Sequence, residues 1–418
     1  MQKFLSLFKN LGAFGLAPVV ISLASILSVP VTLHVLGDQV WLSIAVGQTA
    51  GELARLLTIW GWNSTGLSLV ASMDQRQRTL YYLRSMPVRL VLFCLTALIL
   101  VPVALFMPVA SASGLYLMAL AGAVLGLSGS WVFIGAREPG KLLLFDSLPR
   151  TLGIFAATGL VLLFPRVEVF AGTIILGNAI SALGPWIYHL RLKAQLGLES
   201  WLLSWSEILQ SIRQGVSGFV IGFVMSARMS LPVLAAPLLI PEAATMVALA
   251  DKFMRWGNTA MTPIMQFVQT GIPRSPGSLP QQIIRGTKLV ALLSSLLTLV
   301  ATGVTYWGSG PMSTGQIQLS WPISFVVGAV LGLVFATTVT GNTSLVLLGR
   351  TGTVARYSLA ALLILLLALY PAALLWGGFG VMAAYALSEL GILLLQLNLL
   401  RKLLGRAAGS APSESRNG

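Results

Sequence analysis

The longest stretch without a charged side chain runs for 61 residues between Lys288 and Arg350. A second such stretch, between Arg89 and Arg137, is 47 residues long, and a third, between Lys9 and Asp38, is 28. A soluble domain cannot bury runs of this length. A membrane-spanning helix needs only about 20 apolar residues. Charged residues make up 9% of the chain and hydrophobic ones 56%, whereas a soluble domain carries roughly 25% charged residues. The chain is therefore expected to be an all-α polytopic membrane protein.

The uncharged runs divide into twelve expected spans. The first lies between Lys9 and Asp38 and is too long for a signal-peptide core. Val40–Gly61 is the second, and the stretch from Arg89 to Arg137 supplies two more, turning near Pro108–Gly114. Leu148–Phe164, Val169–Leu190, Gln214–Leu239 and Ala243–Gln266 follow. The stretch from Lys288 to Arg350 folds back once around Trp307–Ser320, and Tyr357–Leu375 with Phe379–Leu400 complete the set.

An even number of spans puts both termini on one side. On that side fall 21 of the 26 basic residues: Lys3 and Lys9; Arg76, Arg78, Arg84 and Arg89; Arg137, Lys141 and Arg150; Arg191, Lys193 and Arg213; Arg274, Arg285 and Lys288; Arg350 and Arg356; Arg401, Lys402, Arg406 and Arg416. The opposite loops carry only Arg166, with Asp38, Glu168 and Glu242 as acids. Basic residues in short loops mark the cytoplasmic side, so the net charge of +14 reads as topology and lipid contact rather than nucleic-acid binding. Residues 407–418 are small and polar and are expected to be disordered.

The spans divide into two halves, 1–195 and 213–400, with an amphipathic cytoplasmic connector over 196–212 and a tail over 401–418. Trp201, Leu202, Leu203, Trp205, Ile208 and Leu209 supply the connector's apolar face. An offset of 204 to 206 residues pairs Lys9 with Arg213, Asn10 with Gln214, Asp38 with Glu242, Leu125-Gly126-Leu127 with Leu331-Gly332-Leu333, and Arg150 with Arg356. Six spans per half give the halves one orientation, related by a pseudo-twofold axis along the membrane normal.

Seven charged residues fall within the expected spans: Glu52, Arg55, Arg228, Asp251, Lys252, Arg255 and Glu389. Each costs at least ~2.5 kcal/mol at the bilayer centre, so each should face a cavity or a partner. Glu52 and Arg55 are three apart and Asp251 and Arg255 four apart, spacings that allow pairing within one helix. The functional reading is that Arg55, Lys252, Arg255 and Arg228 line an anion-binding cavity, since arginine grips phosphate through paired hydrogen bonds. Glu52, Asp251 and Glu389 are then candidates for ion coupling or charge pairing.

Pro18 and Pro30 in the first span and Pro232 in the seventh lie in corresponding spans of the two halves, as gating bends or as ordinary kinks. Pro102, Pro185, Pro322 and Pro371 also interrupt spans, and Gly47, Gly51, Gly328 and Gly332 have the spacing of close helix packing. Thr337, Thr338, Thr340, Asn342 and Thr343 give the tenth span a polar end, as the wall of a water-filled path or as glue between helices. His34 and His189 are far apart and expected at the membrane interface. With one cysteine, Cys94, no catalytic constellation, metal site or cofactor is indicated.

Several segments resemble the polysaccharide flippases of the multidrug/oligosaccharidyl-lipid/polysaccharide exporter superfamily. Leu36-Gly37-Asp38 and Gly61-Trp62-Asn63 resemble the family's turn after helix one and its helix-two exit. Trp131-Val132-Phe133-Ile134-Gly135, with Arg150 opening the fifth span, is similar to the end of helix four. Pro241-Glu242-Ala243, Ala250-Asp251-Lys252, Arg255, Gln266 and Pro273-Arg274 are similar to the passage from helix seven to eight. Together they cover roughly positions 10–275.

The resemblance implies a transporter of the bacterial inner membrane, not an enzyme. It would flip an undecaprenyl-diphosphate-linked oligosaccharide from the cytoplasmic to the periplasmic leaflet by alternating access through a cationic central cavity, alongside other membrane proteins of polysaccharide assembly. Family bases on helices two and eight correspond to Arg55, Lys252 and Arg255. Some relatives carry a further base on helix one, where this chain has only His34. The rival readings are a multidrug or cation antiporter on the same fold, which wants surplus acids in the cavity, and a glycan polymerase or ligase, which wants a catalytic constellation and a large external loop.

Overall fold

A computed structural model describes residues 20–198, 200–274 and 278–409. Lys3, Lys9, Asn10, Pro18 and the tail from 410 onward lie outside the described residues. The described residues up to Ala248, with 310–317, cluster as one compact unit; 249–309 and those from 318 onward cluster as a second.

The first unit begins with α1 (Val20–Leu36) and α2 (Asp38–Ile59). Trp60 and Gly61, both left-handed, stop α2 and lead into a π-helical turn over Trp62–Gly66 and the short α3 (Leu67–Ser72). Asp74 then opens α4 (Gln75–Phe106): its carboxylate accepts from the Gln77 backbone while the Gln77 side chain accepts from the Asp74 backbone. Two otherwise unsatisfied amides are thereby paired. This start lies far upstream of the apolar run, so Arg76, Arg78, Arg84 and Arg89 are helical residues rather than loop residues.

Ser111 caps α5 (Ala112–Leu125) through the Gly114 amide. The helix breaks at 126–129 before α6 (Ser130–Gly135) and α7 (Pro139–Leu142). A π-helical segment, Leu143–Ser147, runs into α8 (Leu148–Leu163), and α9 (Val167–Leu196) follows. α5 packs against α2, α4 and α9. Its closest approach is to α2, where a Cβ on Gly122 would collide with backbone atoms of Gly51, and one on Gly47 would lie 2.6 Å from the Leu115 carbonyl oxygen. Glycines at this spacing let the two backbones touch.

The expected amphipathic connector is not a separate helix. Residues 200–204 are irregular, and Ser204 with Glu207 forms a second reciprocal cap that starts α10 (Trp205–Leu239). Trp205, Ile208 and Leu209 are thus the first turns of a 35-residue helix, with Ile208 buried against the α2 and α4 core. The hydrogen bonds to the Ser204 hydroxyl and amide hold the exposed Glu207 carboxyl below its ordinary pKa.

α11 (Ala244–Gly271) and α12 (Leu279–Met312) carry the chain from one unit into the other. In the second unit α13 (Trp321–Val339) runs into a π-helical segment, Thr340–Leu345, and α14 (Thr351–Gly409) closes the described chain. Met261 and Val268 of α11, Val290 of α12, and Leu331, Phe335 and Val339 of α13 share one core. Pro322 sits in the first turn of α13 and so starts that helix rather than interrupting a span.

α14 is two helical arms meeting at Gly377, whose φ of 55° and ψ of −134° reverse the chain without a loop. Gly391 of the second arm lies against Ile364 of the first, as an antiparallel hairpin requires. The second arm continues to Gly409, past the start of the expected tail, because Leu403 and Leu404 pack with Ile283, Leu345 and Leu400.

Seven helices among the described residues are long and apolar enough to cross a membrane, with the whole of α14 counted as one. The other expected spans fall on helices that are shorter, α1 and α8, or carry charges within their length, α2 and α11, and on the second arm of α14.

Candidate functional site

The charged residues expected inside the spans fall into two groups, one in each unit. In the first unit Arg55 Nε and Nη2 donate to Glu52 Oε2 at 3.2 and 3.1 Å. Both side chains stay partly open, 26% for Arg55 and 42% for Glu52, so the pair is reachable by a ligand. Arg228 is 7% exposed on α10. The indole of Trp60 donates to the Ile212 carbonyl at 2.7 Å, a Cβ on Gly61 would lie 2.9 Å from the Gly215 oxygen, and one on Gly222 would lie 3.7 Å from Leu56. These antiparallel pairings put Arg228 level with the Ala50–Glu52 turn of α2.

In the second unit α11 carries Asp251, Lys252 and Arg255 within four residues. Asp251 and Lys252 are buried, 2% and 7% exposed. Arg255 Nε donates to Asp251 Oδ2 at 2.6 Å while its side chain remains 24% exposed. Glu389, on the second arm of α14, is fully buried and accepts from the Thr337 hydroxyl of α13 at 3.3 Å. The α13 hydroxyl is therefore a partner for Glu389, and Thr340 and Thr343 in the adjoining π-helical segment are buried.

A third group of polar residues in the first unit escaped the sequence reading. Arg89, assigned there to a loop, is completely buried in α4. Its Nη1 donates to the Leu127 and Ser128 carbonyls at 3.1 and 2.9 Å, where α5 breaks, and reaches the Gly126 carbonyl at 3.5 Å. Its guanidinium also lies 5.2 Å from the Tyr82 ring centre and 5.7 Å from that of Trp131. Next to it, Asp146 accepts from Ser128 at 2.8 Å, Ser181 at 3.1 Å and Arg150 at 3.2 Å.

His189 belongs to the same region. It is 4% exposed, packed among Tyr82, Phe133 and Tyr188. Lys141 donates to the Tyr188 hydroxyl at 2.7 Å and pairs with Glu138 at 3.0 Å. Partial burial pulls the Lys141 ammonium down, but those two partners outweigh it and raise its pKa. The spacing of Asp146 and Arg150, four residues, was a signal available in the sequence. Among the described residues no cluster of three His, Cys, Asp or Glu side chains could hold a metal.

Solved structures with the same fold span nearly the whole chain. The MATE multidrug transporter DinF-BH is 15% identical with a TM-score of 0.58, over 94% of this chain and 95% of its own. The lipid II flippase MurJ, in an inward closed conformation, is 10% identical with a TM-score of 0.58, over 92% and 87%. A variant of the MATE transporter VcmN of Vibrio cholerae is 14% identical with a TM-score of 0.56, over 97% and 99%. No protein-family model matches the chain, and no curated protein matches its sequence. At these identities the likeness establishes the fold, that of polytopic membrane proteins; the neighbours are transporters and a flippase, not enzymes.

Proposed function

We propose that this chain is an inner-membrane transporter that moves an anionic, polyprenyl-diphosphate-linked oligosaccharide from the cytoplasmic to the periplasmic leaflet, for cell-surface polysaccharide assembly. The observation that carries the reading is the surplus of bases among the charges expected within the spans: four, Arg55, Arg228, Lys252 and Arg255, against three acids, Glu52, Asp251 and Glu389, a surplus that the buried Arg89 enlarges. A fold shared with a lipid II flippase makes a lipid-linked substrate reasonable, and the side chains of Arg55 and Arg255, 26% and 24% exposed, are each open enough to meet a phosphate. Their ion pairs hold each arginine in place without covering it, so the phosphate meets a pre-oriented donor.

No covalent chemistry is needed. An inside-negative potential favours outward movement of an anion by about 2.3 kcal/mol per charge per 100 mV. Glu389, Glu52 and Asp251 are the candidates for any coupling ion, and the helix bends at Pro30 and Pro232 for switching access between leaflets. Both termini are cytoplasmic in this reading.

The likeness to DinF-BH favours a second reading, efflux of an organic cation, in which the same acids would hold the substrate. Purified protein in liposomes, loaded with labelled polyprenyl-diphosphate oligosaccharide or with a lipophilic cationic dye, separates the two. The expected result is leaflet exchange of the lipid-linked sugar by the wild type and its loss in Arg55→Ala and Lys252→Ala. Normal exchange by both variants removes the cationic-site mechanism; dye transport without lipid exchange selects the second reading.

A further inference from the structure

The second unit holds a cavity of about 370 Å³ along α12, walled by α13 and the second arm of α14, a volume in the range of ligand sites. Its α12 wall presents Thr287, Ala291, Ser294, Ser295 and Thr298. The wall is chemically drier than these names suggest. Thr287, Ser295 and Thr298 donate their hydroxyls to the carbonyls four residues back, at 2.9, 3.0 and 2.9 Å. Their donors are therefore spent within the helix, and Ser294, whose buried hydroxyl has no partner, is the polar exception on this wall. Val290, Leu333, Leu393 and Leu397 complete an apolar lining.

The surroundings say what can enter. Leu289, Leu292, Leu296 and Leu299 are exposed on the adjoining stripe of α12, so the groove opens toward hydrocarbon. At the groove's lower end, next to the lining residue Thr287, Lys288 shares the stripe of Ala291, Ser295 and Thr298, and Arg285 stands three residues before Lys288. Both cations are exposed, at the end of α12 that positive-inside bias places in the cytoplasmic leaflet. Basic groups at the cytoplasmic mouth of a groove between membrane helices are a recurrent receptor for acidic headgroups.

We propose that this groove is a binding site for an anionic phospholipid, with one acyl chain against Ala291, Leu333 and Leu393 and the phosphate against Lys288 and Arg285. The site uses none of the residues assigned to transport, and it stands whether or not the chain carries a lipid-linked sugar.

The test is native mass spectrometry of the full-length protein taken from bilayers of equal phosphatidylglycerol and phosphatidylcholine. Wild type should retain phosphatidylglycerol in preference, and Arg285→Gln and Lys288→Gln should each weaken retention roughly fivefold. Ala291→Phe, which fills the groove and keeps both charges, should abolish the preference. Equal retention of the two lipids by wild type overturns the proposal, as does unchanged retention in Ala291→Phe, since the cations would then attract headgroups without a groove. Displacement of phosphatidylglycerol by an equal amount of a polyprenyl phosphate would also overturn it, assigning the groove to an isoprenoid chain.

Discussion

α5 and α13 occupy matching places at the 206-residue offset, yet they solve one packing problem in two ways. Gly122 of α5 and Gly126 at its C-terminal end correspond to Gly328 and Gly332 of α13, and each pair admits a neighbouring helix to backbone contact. α5 lies against Gly51, Arg55 and Thr58 of α2, whereas α13 lies against Ser294, Thr298 and Thr302 of α12. α5 then breaks, freeing carbonyls that must find donors inside the membrane, and Arg89 supplies them. No carboxylate among the described residues pairs with Arg89. The negative end of the broken helix and two aromatic rings stabilise the charge instead.

At the same offset Arg89 corresponds to Ser295. α13 stays helical into the π-helical segment at Thr340, and the space beside Gly332, Ser294 and Ser295 remains a cavity. A helix break filled by protein, with Ser128-Gly129 at the break and Arg89 beside it, thus stands against an unbroken helix, with Val334-Phe335 and Ser295 at those places, that leaves room for a ligand. Matching glycine spacing does not entail matching internal volume.

Removing the arginine should have the largest effect. Arg89→Met keeps much of the volume but strands the carbonyls at 127 and 128, and we expect a loss of about 3–5 kcal/mol, read as a lowered melting temperature in detergent; an unshifted transition would mean that the break does not depend on the guanidinium. Gly122→Ala should follow, at about 1–3 kcal/mol, because all three atoms its methyl would strike belong to the backbone of Gly51. The same measurement checks it. Gly332→Ala should cost less than Gly122→Ala, about 1–2 kcal/mol, since its methyl would meet one backbone atom within 3.0 Å, the Ser294 carbonyl oxygen at 2.7 Å, beside the Thr298 hydroxyl, where Gly122 meets three, and the site borders the cavity. A larger loss for Gly332→Ala than for Gly122→Ala would reverse the contrast between the two seams.

Much of this was legible in the residues themselves. The uncharged runs located the helices, and the three- and four-residue spacings of Glu52 with Arg55 and Asp251 with Arg255 correspond to ion pairs that form. What escaped was the behaviour of charges at the edges of apolar runs. Arg89 looked like the end of a loop because hydrophobicity begins after it, but the cap at Asp74 starts the helix earlier and carries the arginine inside. Asp146 and Arg150 had a legible spacing and were passed over because the apolar segment opens at Leu148. Nor did position alone show that aromatic neighbours from α4, α6 and its own helix enclose His189. Hydropathy locates where a helix is dry; it does not register a polar group that a helix break has made welcome.

The reversal at Gly377 bears on how the chain is made. Its two arms are joined without a linker, and a Cβ on Gly380 would collide with the Ala372 carbonyl, so the hairpin tip has no slack. The arms must leave the insertion machinery side by side, as one helical hairpin, because neither can settle in the bilayer while the other waits outside. Once inserted, the tip has no loop to absorb an insertion, so a glycosylation or epitope tag placed there would report a disrupted hairpin rather than its topology.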